Sequence, residues 1–238
     1  MSKSAVVIIP TTGDEKVLKA VDSVYKQTYK NVTPLVVVDG EKFKNTSAVS
    51  QLNPDHHIIL KENTGADGFY GHRIYAGFSH LVNADYVFFL DQDNWYKREH
   101  VKTLVETMES DDKIQWAYSL RSIYSPNGKY LCDDNCESLG KWPVAGHTDN
   151  FHIDTSCYAF KREFLIRVAS LWHNGYGGDR IFYHMIRRNF PEETYDTSGK
   201  HTLCYRLDGN PNSVSKEFFD TLNPVYEMQY NNQFPWVK

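Results

Sequence analysis

An α/β fold with a central, mostly parallel sheet flanked by helices is predicted by two features of the sequence. First, three short apolar runs, Ala5–Ile9, Leu35–Val38 and Tyr86–Leu90, have the length and composition of buried strands. Second, the segment between the first two runs has helical period, so strand, helix and strand fit the span of a βαβ unit. With 238 residues, 41% of them apolar, the chain can bury a substantial core.

The first 111 residues are predicted to alternate strands and helices. Pro10–Gly13 ends the first strand, and Thr12 with Glu15 has the spacing of a capping box at the start of the next helix. The elements predicted next are a third strand (His57–Leu60), a polar loop (Glu62–Gly68), a helix (Tyr70–Val82), the apolar strand (Tyr86–Leu90) and another helix (Arg98–Met108).

The second half departs from this alternation. Ile114–Tyr124 and the short arm Lys129–Cys132 form a predicted hairpin, because Asn127-Gly128 between them favours a tight turn. The remaining predicted elements are a polar loop (Asp133–His152), a strand within Ile153–Phe160, a helix (Lys161–Trp172), a glycine-rich loop with a helix (Asn174–Ile186) and a last strand (Thr202–Leu207). The tail is predicted to be rich in loops, with one helical turn. We therefore expect a single domain, 1–238, with two halves, 1–111 and 112–238.

Composition excludes several classes of protein. The formal net charge is −4 and no long cluster of Lys and Arg occurs, which argues against a general nucleic-acid binder. The apolar run Ala5–Ile9 is too short for a secretory signal, and no run approaches the length of a membrane span. Four cysteines do not suggest a disulfide framework, and a zinc site on Cys132 and Cys136 lacks a second matching pair. These features favour a cytoplasmic protein without a transmembrane segment.

Acidic residues follow two of the predicted core strands. Asp91 and Asp93 come directly after Tyr86–Leu90, and Asp39 follows Leu35–Val38. Ligands of open α/β sheets bind beyond the carboxyl ends of the strands, and paired carboxylates there suit Mg²⁺ or Mn²⁺. The alternative is that these acids are ordinary turn and capping residues. Arg73, near the start of a helix, can add charge-assisted bonds to a diphosphate.

As an ordered set, several segments resemble the GT-A glycosyltransferases, most closely family 2. The resemblance extends over about residues 4–110, and it implies the GT-A nucleotide-diphospho-sugar transferase fold. The segments that carry it are Val7–Thr12, Ala20–Asn31, Val36–Gly40, Asn63–Gly65, Arg73 with Ala76-Gly77, and Phe88–Asp93. The resemblance implies that the nucleotide sugar is bound by Pro10, Thr11, Thr12, Asp39, Gly65, Arg73, Asp91 and Gln92.

The second half resembles the family at fewer positions. Asp179, before an apolar helix, matches the catalytic base, although the acidic residue usual before it is Gly178 here. Asp208 follows Tyr205-Arg206 where many members have a metal-binding His, so the implied metal ligands are Asp91, Asp93 and Asp208. The Gln-x-x-Arg-Trp motif and membrane segments of processive synthases are missing from the sequence. The resemblance therefore implies an enzyme that adds one sugar per encounter.

The implied function is a metal-dependent, inverting, non-processive glycosyltransferase. It would move a sugar from a nucleoside diphosphate of the UDP, GDP or dTDP type to an acceptor hydroxyl of a glycan or glycoconjugate. A sugar nucleotidyltransferase is disfavoured because Pro10–Glu15 contains one Gly and no Lys or Arg. A non-catalytic module that binds nucleotide sugars or glycans is the other alternative. Four aromatic residues are candidates for stacking on a sugar, namely Tyr70, Trp95, Trp142 and Trp172. The sugar, base, linkage and oligomeric state stay open.

Overall fold

The computed structural model describes residues 3–209 and 213–238. In this part of the chain nine strands form one sheet, with spatial order β3-β2-β1-β4-β8-β6-β9-β5 and with β7 paired to β6. The strands are β1 (Ala5–Thr11), β2 (Val32–Val38), β3 (His57–Ile59), β4 (Tyr86–Phe89), β5 (Trp95–Tyr96), β6 (Trp116–Tyr124), β7 (Tyr130–Asp133), β8 (Tyr158–Lys161) and β9 (Tyr195–Arg206).

Seven α-helices in the described residues flank this sheet. They are α1 (Lys16–Tyr25), α2 (Ser47–Ser50), α3 (His72–Leu81), α4 (His100–Glu109), α5 (Arg162–Val168), α6 (Gly178–Asn189) and α7 (Lys216–Tyr230). The α/β fold class predicted from the sequence is therefore confirmed. No helix in the described ranges has both the length and the apolar character that crossing a bilayer requires.

The first four strands in this order, β3, β2, β1 and β4, are parallel. The carboxyl ends of β2, β1 and β4 therefore lie side by side. β1 pairs with β2 in the register Thr11↔Val38 and with β4 in the register Ile8↔Phe89. Because the strands run in the same direction, the residues that follow β1, β2 and β4 emerge at one edge of the sheet. Ile8 and Ile9 of β1, Val36–Val38 of β2 and all of β4 are buried, which explains why these segments are continuous apolar runs in the sequence.

The sheet changes direction at β8, which is antiparallel to both β4 and β6. A buried aromatic cluster fills the space beside this junction. Trp172 stacks on Phe182 with ring centroids 4.2 Å apart, and Trp172 is fully buried. The prediction that Trp172 could stack on a sugar is therefore wrong, because the side chain packs in the core. The division into halves at residue 111 stays a prediction.

Two local expectations differ from the structure. Helix α1 begins at Lys16 with Glu15 as its N-cap residue and no side-chain cap, so the predicted capping box with Thr12 does not form. Strand β9 begins at Tyr195, seven residues before the predicted start, because Tyr195 stacks on Trp116 of β6 with ring centroids 4.1 Å apart. Ser198-Gly199 interrupts the apolar pattern inside β9, so the first part of this strand was not predicted from the sequence.

The tail contains a full helix where one turn was predicted. Helix α7 covers 15 residues and contains Pro224, a residue that argues against a helix interior when only the sequence is read. Ser215 caps the helix by accepting a hydrogen bond from the backbone N–H of Phe218. Phe219, Asn223 and Tyr226 then bury one face, so tertiary packing stabilises this helix.

Candidate active site

A cavity of about 1060 Å³ opens at the carboxyl ends of β1, β2 and β4. Its wall combines the ends of these strands with residues from the second half of the chain. Ten of the residues predicted from the sequence lie in this wall: Pro10, Thr11, Thr12, Asp39, Gly65, Asp91, Gln92, Asp93, Asp179 and Asp208. The structure thus brings together side chains that are up to about 200 residues apart in the sequence.

Asp39 organises the loop on the β2 side of the cavity. Its Oδ1 accepts hydrogen bonds from the backbone N–H of Thr64 at 2.7 Å and from the hydroxyl of Thr64 at 2.8 Å. Its Oδ2 accepts a hydrogen bond from the N–H of Gly65 at 2.7 Å. Two carboxylate oxygens have about four acceptor positions, so three bonds leave capacity for one more.

Gly65 is required at this position by the close approach of the backbone. A Cβ built on Gly65 would lie 2.1 Å from the carbonyl oxygen of Tyr70, and the N–H of Tyr70 donates to the carbonyl of Gly65. Tyr70 has a φ of 49°, an uncommon value for a bulky residue, and its half-exposed ring lies on the cavity wall. The loop therefore holds an aromatic ring at the rim of the cavity.

Gln92 connects the ends of β1 and β4. The hydroxyl of Thr11 donates to Oε1 of Gln92 at 2.6 Å, and the N–H of Thr12 donates to the same oxygen at 3.2 Å. The hydroxyl of Thr11 also accepts the N–H of Gly13. These bonds fix the turn after β1 beside the residues that follow β4.

Asp91 is held by two hydroxyl donors. The phenol of Tyr75 donates to Oδ1 at 2.8 Å, and the hydroxyl of Ser156 donates to Oδ2 at 3.2 Å. Burial, together with the nearby charges of Asp154 and Asp93, raises the pKa of Asp91 to about 7, although the two hydroxyl bonds oppose this change. The carboxyl is thus fixed in place but poorly solvated, so a bound cation would favour its ionised form.

Asp93 and Asp208 complete the acidic side of the cavity. Burial raises the pKa of Asp93 to about 6, and the negative charge of Asp208 contributes to this increase. The backbone carbonyl of Asp93 accepts a hydrogen bond from Nε of Arg206 at 3.1 Å. Within the described residues, no group of three or more His, Cys, Asp and Glu side chains converges on a common metal position.

These side chains nevertheless fit a hard divalent cation by their donor chemistry. Asp91 and Asp93 supply carboxylate oxygens whose charge is poorly compensated by the protein. Mg²⁺ is commonly bound through one or two carboxylates together with substrate phosphates and waters, not by an all-protein cage. A site that is completed by the substrate does not need three converging protein ligands beforehand.

Asp179 lies in the first turn of α6 and lines the same cavity as Asp91 and Asp93. The helix begins at Gly178, and its N-cap residue is Gly177 with a φ of 74°. Oδ1 of Asp179 accepts the N–H of Arg180 at 2.8 Å, and Oδ2 lies 3.7 Å from Nε2 of His152. Burial raises the pKa of Asp179 to about 6, aided by the charge of Asp154. A carboxyl with this pKa can accept a proton near neutral pH.

Arg73 has a different position from the one predicted. It is not among the residues that line the cavity, and its Nη1 donates to the carbonyl of Thr64 at 3.2 Å. The guanidinium lies over the ring of Phe69, 3.3 Å from its centroid. Arg73 therefore stabilises the loop 64–69 and does not line the cavity.

A buried ionic cluster on the second half of the cavity was missed by reading the sequence. Arg121 on β6 donates to Oδ2 of Asp134 and Oδ2 of Asp154, each at 2.8 Å, and it also donates to Glu137. Arg180 donates to Oε1 of Glu137 at 2.5 Å. The partners of Arg121 are 13 to 33 residues away in the chain, so no local motif in the sequence predicts the cluster. The only signal in the sequence was the length and polarity of the loop Asp133–His152.

Comparison with known proteins identifies the family. The sequence profile described as "Glycosyl transferase family 2" matches residues 6–168, which is more than half of the chain. The chain belongs to glycosyl transferase family 2. The family 2 profile begins within β1 and extends through α5, so it includes Asp39, Asp91 and Asp93 but ends before Asp179.

One curated relative and two solved structures place this family 2 chain among known proteins. The glycosyltransferase GlyA of Streptococcus pneumoniae serotype 4 is 32% identical over 102 residues, and the match covers 41% of this chain and 14% of GlyA. S. aureus TarS 1–349 in complex with UDP-GlcNAc superposes with a TM-score of 0.59 at 15% identity, covering 98% of this chain and 68% of that structure.

The third comparison is the mannosyltransferase PcManGT from Pyrobaculum calidifontis in complex with GDP-Man and Mn²⁺. It superposes with a TM-score of 0.53 at 18% identity and covers 79% of this chain and 52% of that structure. At these identities the two structures show a shared fold, and they confirm the predicted GT-A architecture of the family 2 chain. The chain spans only a small part of the length of GlyA.

Proposed function

We propose that this chain is a metal-dependent, inverting, non-processive glycosyltransferase. It would transfer a sugar from a nucleoside-diphosphate donor of the UDP, GDP or dTDP type to a hydroxyl of a glycan or glycoconjugate. One observation carries the proposal: Asp39, Asp91 and Asp93 line the same cavity as Asp179, a partly buried carboxyl whose pKa is raised to about 6. A binding module would have no use for such a carboxyl opposite the donor-side acids.

The donor is proposed to lie along the ends of β1, β2 and β4. Asp39 has one acceptor position left for a nucleoside donor group, and Pro10 and Thr11 form the adjacent wall. A cavity of about 1060 Å³ is at the upper end of ligand sites, which leaves room for a nucleotide sugar and part of an acceptor. The UDP-GlcNAc bound to TarS and the GDP-Man bound to PcManGT support a donor of this class.

Asp91 and Asp93 are proposed to hold Mn²⁺ or Mg²⁺ together with the donor diphosphate, with Asp208 as a further ligand. The Mn²⁺ in the PcManGT complex supports this assignment. When bound, the cation would offset the charge that develops on the leaving diphosphate. Tyr75 and Ser156 would keep Asp91 in the orientation in which its oxygens reach the cavity.

Asp179 is proposed to remove the proton of the acceptor hydroxyl. The acceptor oxygen then forms a bond to the anomeric carbon as the bond from that carbon to the diphosphate oxygen breaks. The electron pair of the broken bond stays on the nucleoside diphosphate, the proton stays on Asp179, and the single displacement inverts the anomeric centre. The buried Arg121 cluster and the exposed ring of Tyr176 would shape the acceptor side of the cavity, and the half-exposed ring of Tyr70 would lie at the rim on the donor side.

The first experiment is a thermal-shift screen of UDP, GDP and dTDP and their sugars, with and without Mn²⁺. A ligand that binds only the folded chain raises the melting temperature by mass action. We expect one nucleotide to give a shift that depends on Mn²⁺ and is lost in Asp91→Asn, with the exposed Asp149→Asn as the matched control. Donor hydrolysis or transfer with that nucleotide sugar then separates an enzyme from a binding module. Binding without any turnover would overturn the proposal in favour of the module.

A further inference from the structure

His72 fills the space where the residue before Asp179 would have a side chain. A Cβ built on Gly178 would lie 2.7 Å from both Cε1 and Nδ1 of the His72 ring, closer than such atoms pack. The φ of Gly178 is outside the left-handed region, so space and not backbone conformation requires a glycine here. The imidazole of His72 is therefore packed directly against the backbone that carries Asp179.

His72 also holds the loop that leads to Asp179. Its Nδ1 lies 2.8 Å from the carbonyl oxygen of Asn174, and because a carbonyl only accepts, Nδ1 carries the hydrogen. The side chain of Asn174 donates to the carbonyl of Leu171 at 2.6 Å, and the N–H of Gly178 donates to the carbonyl of Gly175. The turn 174–178 is thus tied to His72 at one end and begins helix α6 at the other.

His72 belongs to the donor-side half of the chain, although it contacts the acceptor-side half. It is the first residue of α3 and follows the loop that Asp39 holds. Gly71 immediately before it lies against Pro10, since a Cβ there would be 2.9 Å from Cγ of Pro10. The contact between His72 and Gly178 consequently joins the nucleotide-side loop to the turn that bears Asp179.

The electrostatic effect of His72 on Asp179 opposes the effects of burial and of Asp154. Burial and the charge of Asp154 raise the pKa of Asp179, whereas the imidazole of His72 and the charge and N–H of Arg180 lower it. His152, whose Nε2 is 3.7 Å from Asp179, is buried, and burial lowers its pKa well below the usual range, so it is neutral. His72 thus acts with Arg180 to favour the carboxylate.

We propose that His72 is a positioning residue for Asp179: it fixes the turn that carries the base and stabilises the base in its ionised form. The inference rests on the proposed role of Asp179 as the base. It adds that a residue of the donor-side helix α3 determines the geometry of the acceptor-side base. Gly178 is the position that makes room for this contact.

The first test does not depend on activity. The carboxyl carbon of Asp179 is followed by ¹³C NMR in aspartate-labelled protein, assigned by its loss in Asp179→Asn, and titrated in the wild type, His72→Gln and His72→Ala. We expect the titration midpoint to move to higher pH by roughly half a unit or more in both variants, because a favourable neighbour is removed. The control is His80→Gln, an exposed histidine on the same helix. An unchanged midpoint would overturn the inference.

The second test uses hydrogen exchange of the backbone amides in the turn 174–178. His72→Ala should speed their exchange, while His72→Gln should retain more protection because an amide N–H can still donate to Asn174. Gly178→Ala should reproduce the effect from the other side of the contact. In the double variant with His72→Ala the added methyl group has space, so the two effects should be less than additive. Full additivity would contradict a direct contact.

Kinetics then separate positioning from donor binding. For His72→Ala we expect kcat to fall roughly tenfold with the donor KM within about twofold, and the acidic limb of kcat to move to higher pH. A loss confined to donor KM with an unchanged pH profile would make His72 a donor contact and overturn the assignment. If the wild type shows no turnover, the proposed function fails, but the NMR titration and hydrogen exchange still decide the role of His72.

Discussion

The phenol of Tyr75 donates a 2.8 Å hydrogen bond to Oδ1 of Asp91, joining helix α3 to the residue that follows β4. Tyr75 is fully buried, and its ring lies 4.5 Å from the ring of Phe89, centroid to centroid. The bond therefore links the packing of the core to the orientation of a carboxylate in the cavity. A side chain held in this way can bind a ligand without first losing rotational freedom.

Removing this one hydroxyl should weaken metal-dependent nucleotide binding. Tyr75→Phe keeps the ring and its packing but deletes the donor to Asp91. A hydrogen bond to a charged group contributes about 1.5–3 kcal/mol, so we expect at least about tenfold weaker binding of the nucleotide in the presence of Mn²⁺. Titration calorimetry with and without Mn²⁺ measures this change. Equal losses under both conditions would show that Tyr75 acts on the nucleotide site as a whole.

Asp179→Asn should abolish turnover while the donor still binds. The amide is nearly isosteric with the carboxyl but cannot accept the acceptor proton, and general base catalysis contributes roughly 10²–10⁴-fold in rate. Donor affinity should stay within about threefold, since Asp179 lies opposite the donor-side acids. Turnover is measured at saturating donor, with Asp149→Asn as the exposed control. Undiminished turnover would show that another group removes the proton.

Gly65→Ala should destabilise the loop 64–69, whereas Gly77→Ala should not. A Cβ at Gly65 would meet the carbonyl oxygen of Tyr70 at 2.1 Å, and a backbone atom cannot move aside easily. We expect a loss of about 1–3 kcal/mol in unfolding free energy and a loss of nucleotide binding. Gly77, in α3, has no atom within 4 Å of its Cβ position, so Ala there should be neutral or stabilising. Denaturant unfolding of both variants measures the difference, and similar behaviour would contradict this account.

The sequence predicted the part of the cavity at the ends of the parallel strands better than the part formed by the second half of the chain, for a physical reason. Asp39, Asp91 and Asp93 each follow an apolar run, and parallel strands necessarily bring such residues to one edge. Arg121 could not be found in this way, because two of its carboxylate partners, Asp134 and Glu137, come from a long loop without periodicity, and the third, Asp154, follows that loop. The position of Arg73 was predicted wrongly. The sequence shows that a cationic residue lies near the start of a helix, but it does not show which side of the loop that side chain contacts.

Breaking the Arg121 cluster should destabilise the fold strongly. Arg121→Met removes the cation that Asp134, Glu137 and Asp154 share, and those carboxylates stay buried. Removing one partner of a buried ion pair typically costs about 3–5 kcal/mol. The contrast is Lys3→Met, which breaks an exposed ion pair with Glu109 and should change stability by less than about 1 kcal/mol. Urea unfolding of the two variants would contradict this prediction if their losses were equal.

His100 should make the fold sensitive to acid between about pH 6.5 and pH 3. The ring stacks on Tyr96 with centroids 3.7 Å apart, Nδ1 lies 2.9 Å from the hydroxyl of Thr202, and Nε2 is buried with no hydrogen-bond partner among the residues that the structure describes. Burial lowers the pKa of His100 from 6.5 to about 3. Between these values the unfolded chain binds a proton that the folded chain does not, so the free energy of unfolding decreases as the pH falls.

The expected slope from this one group is about 1.4 kcal/mol per pH unit, fully present below pH 6 and ending near pH 3. His100→Gln cannot take up the proton, so its unfolding free energy should fall less steeply with pH than that of the wild type. The exposed His80→Gln should leave the wild-type slope unchanged. Denaturant unfolding at several pH values between 7 and 4 measures the slopes. Parallel curves for the wild type and His100→Gln would mean that His100 is protonated within the folded chain, because only then would the two states bind equal numbers of protons.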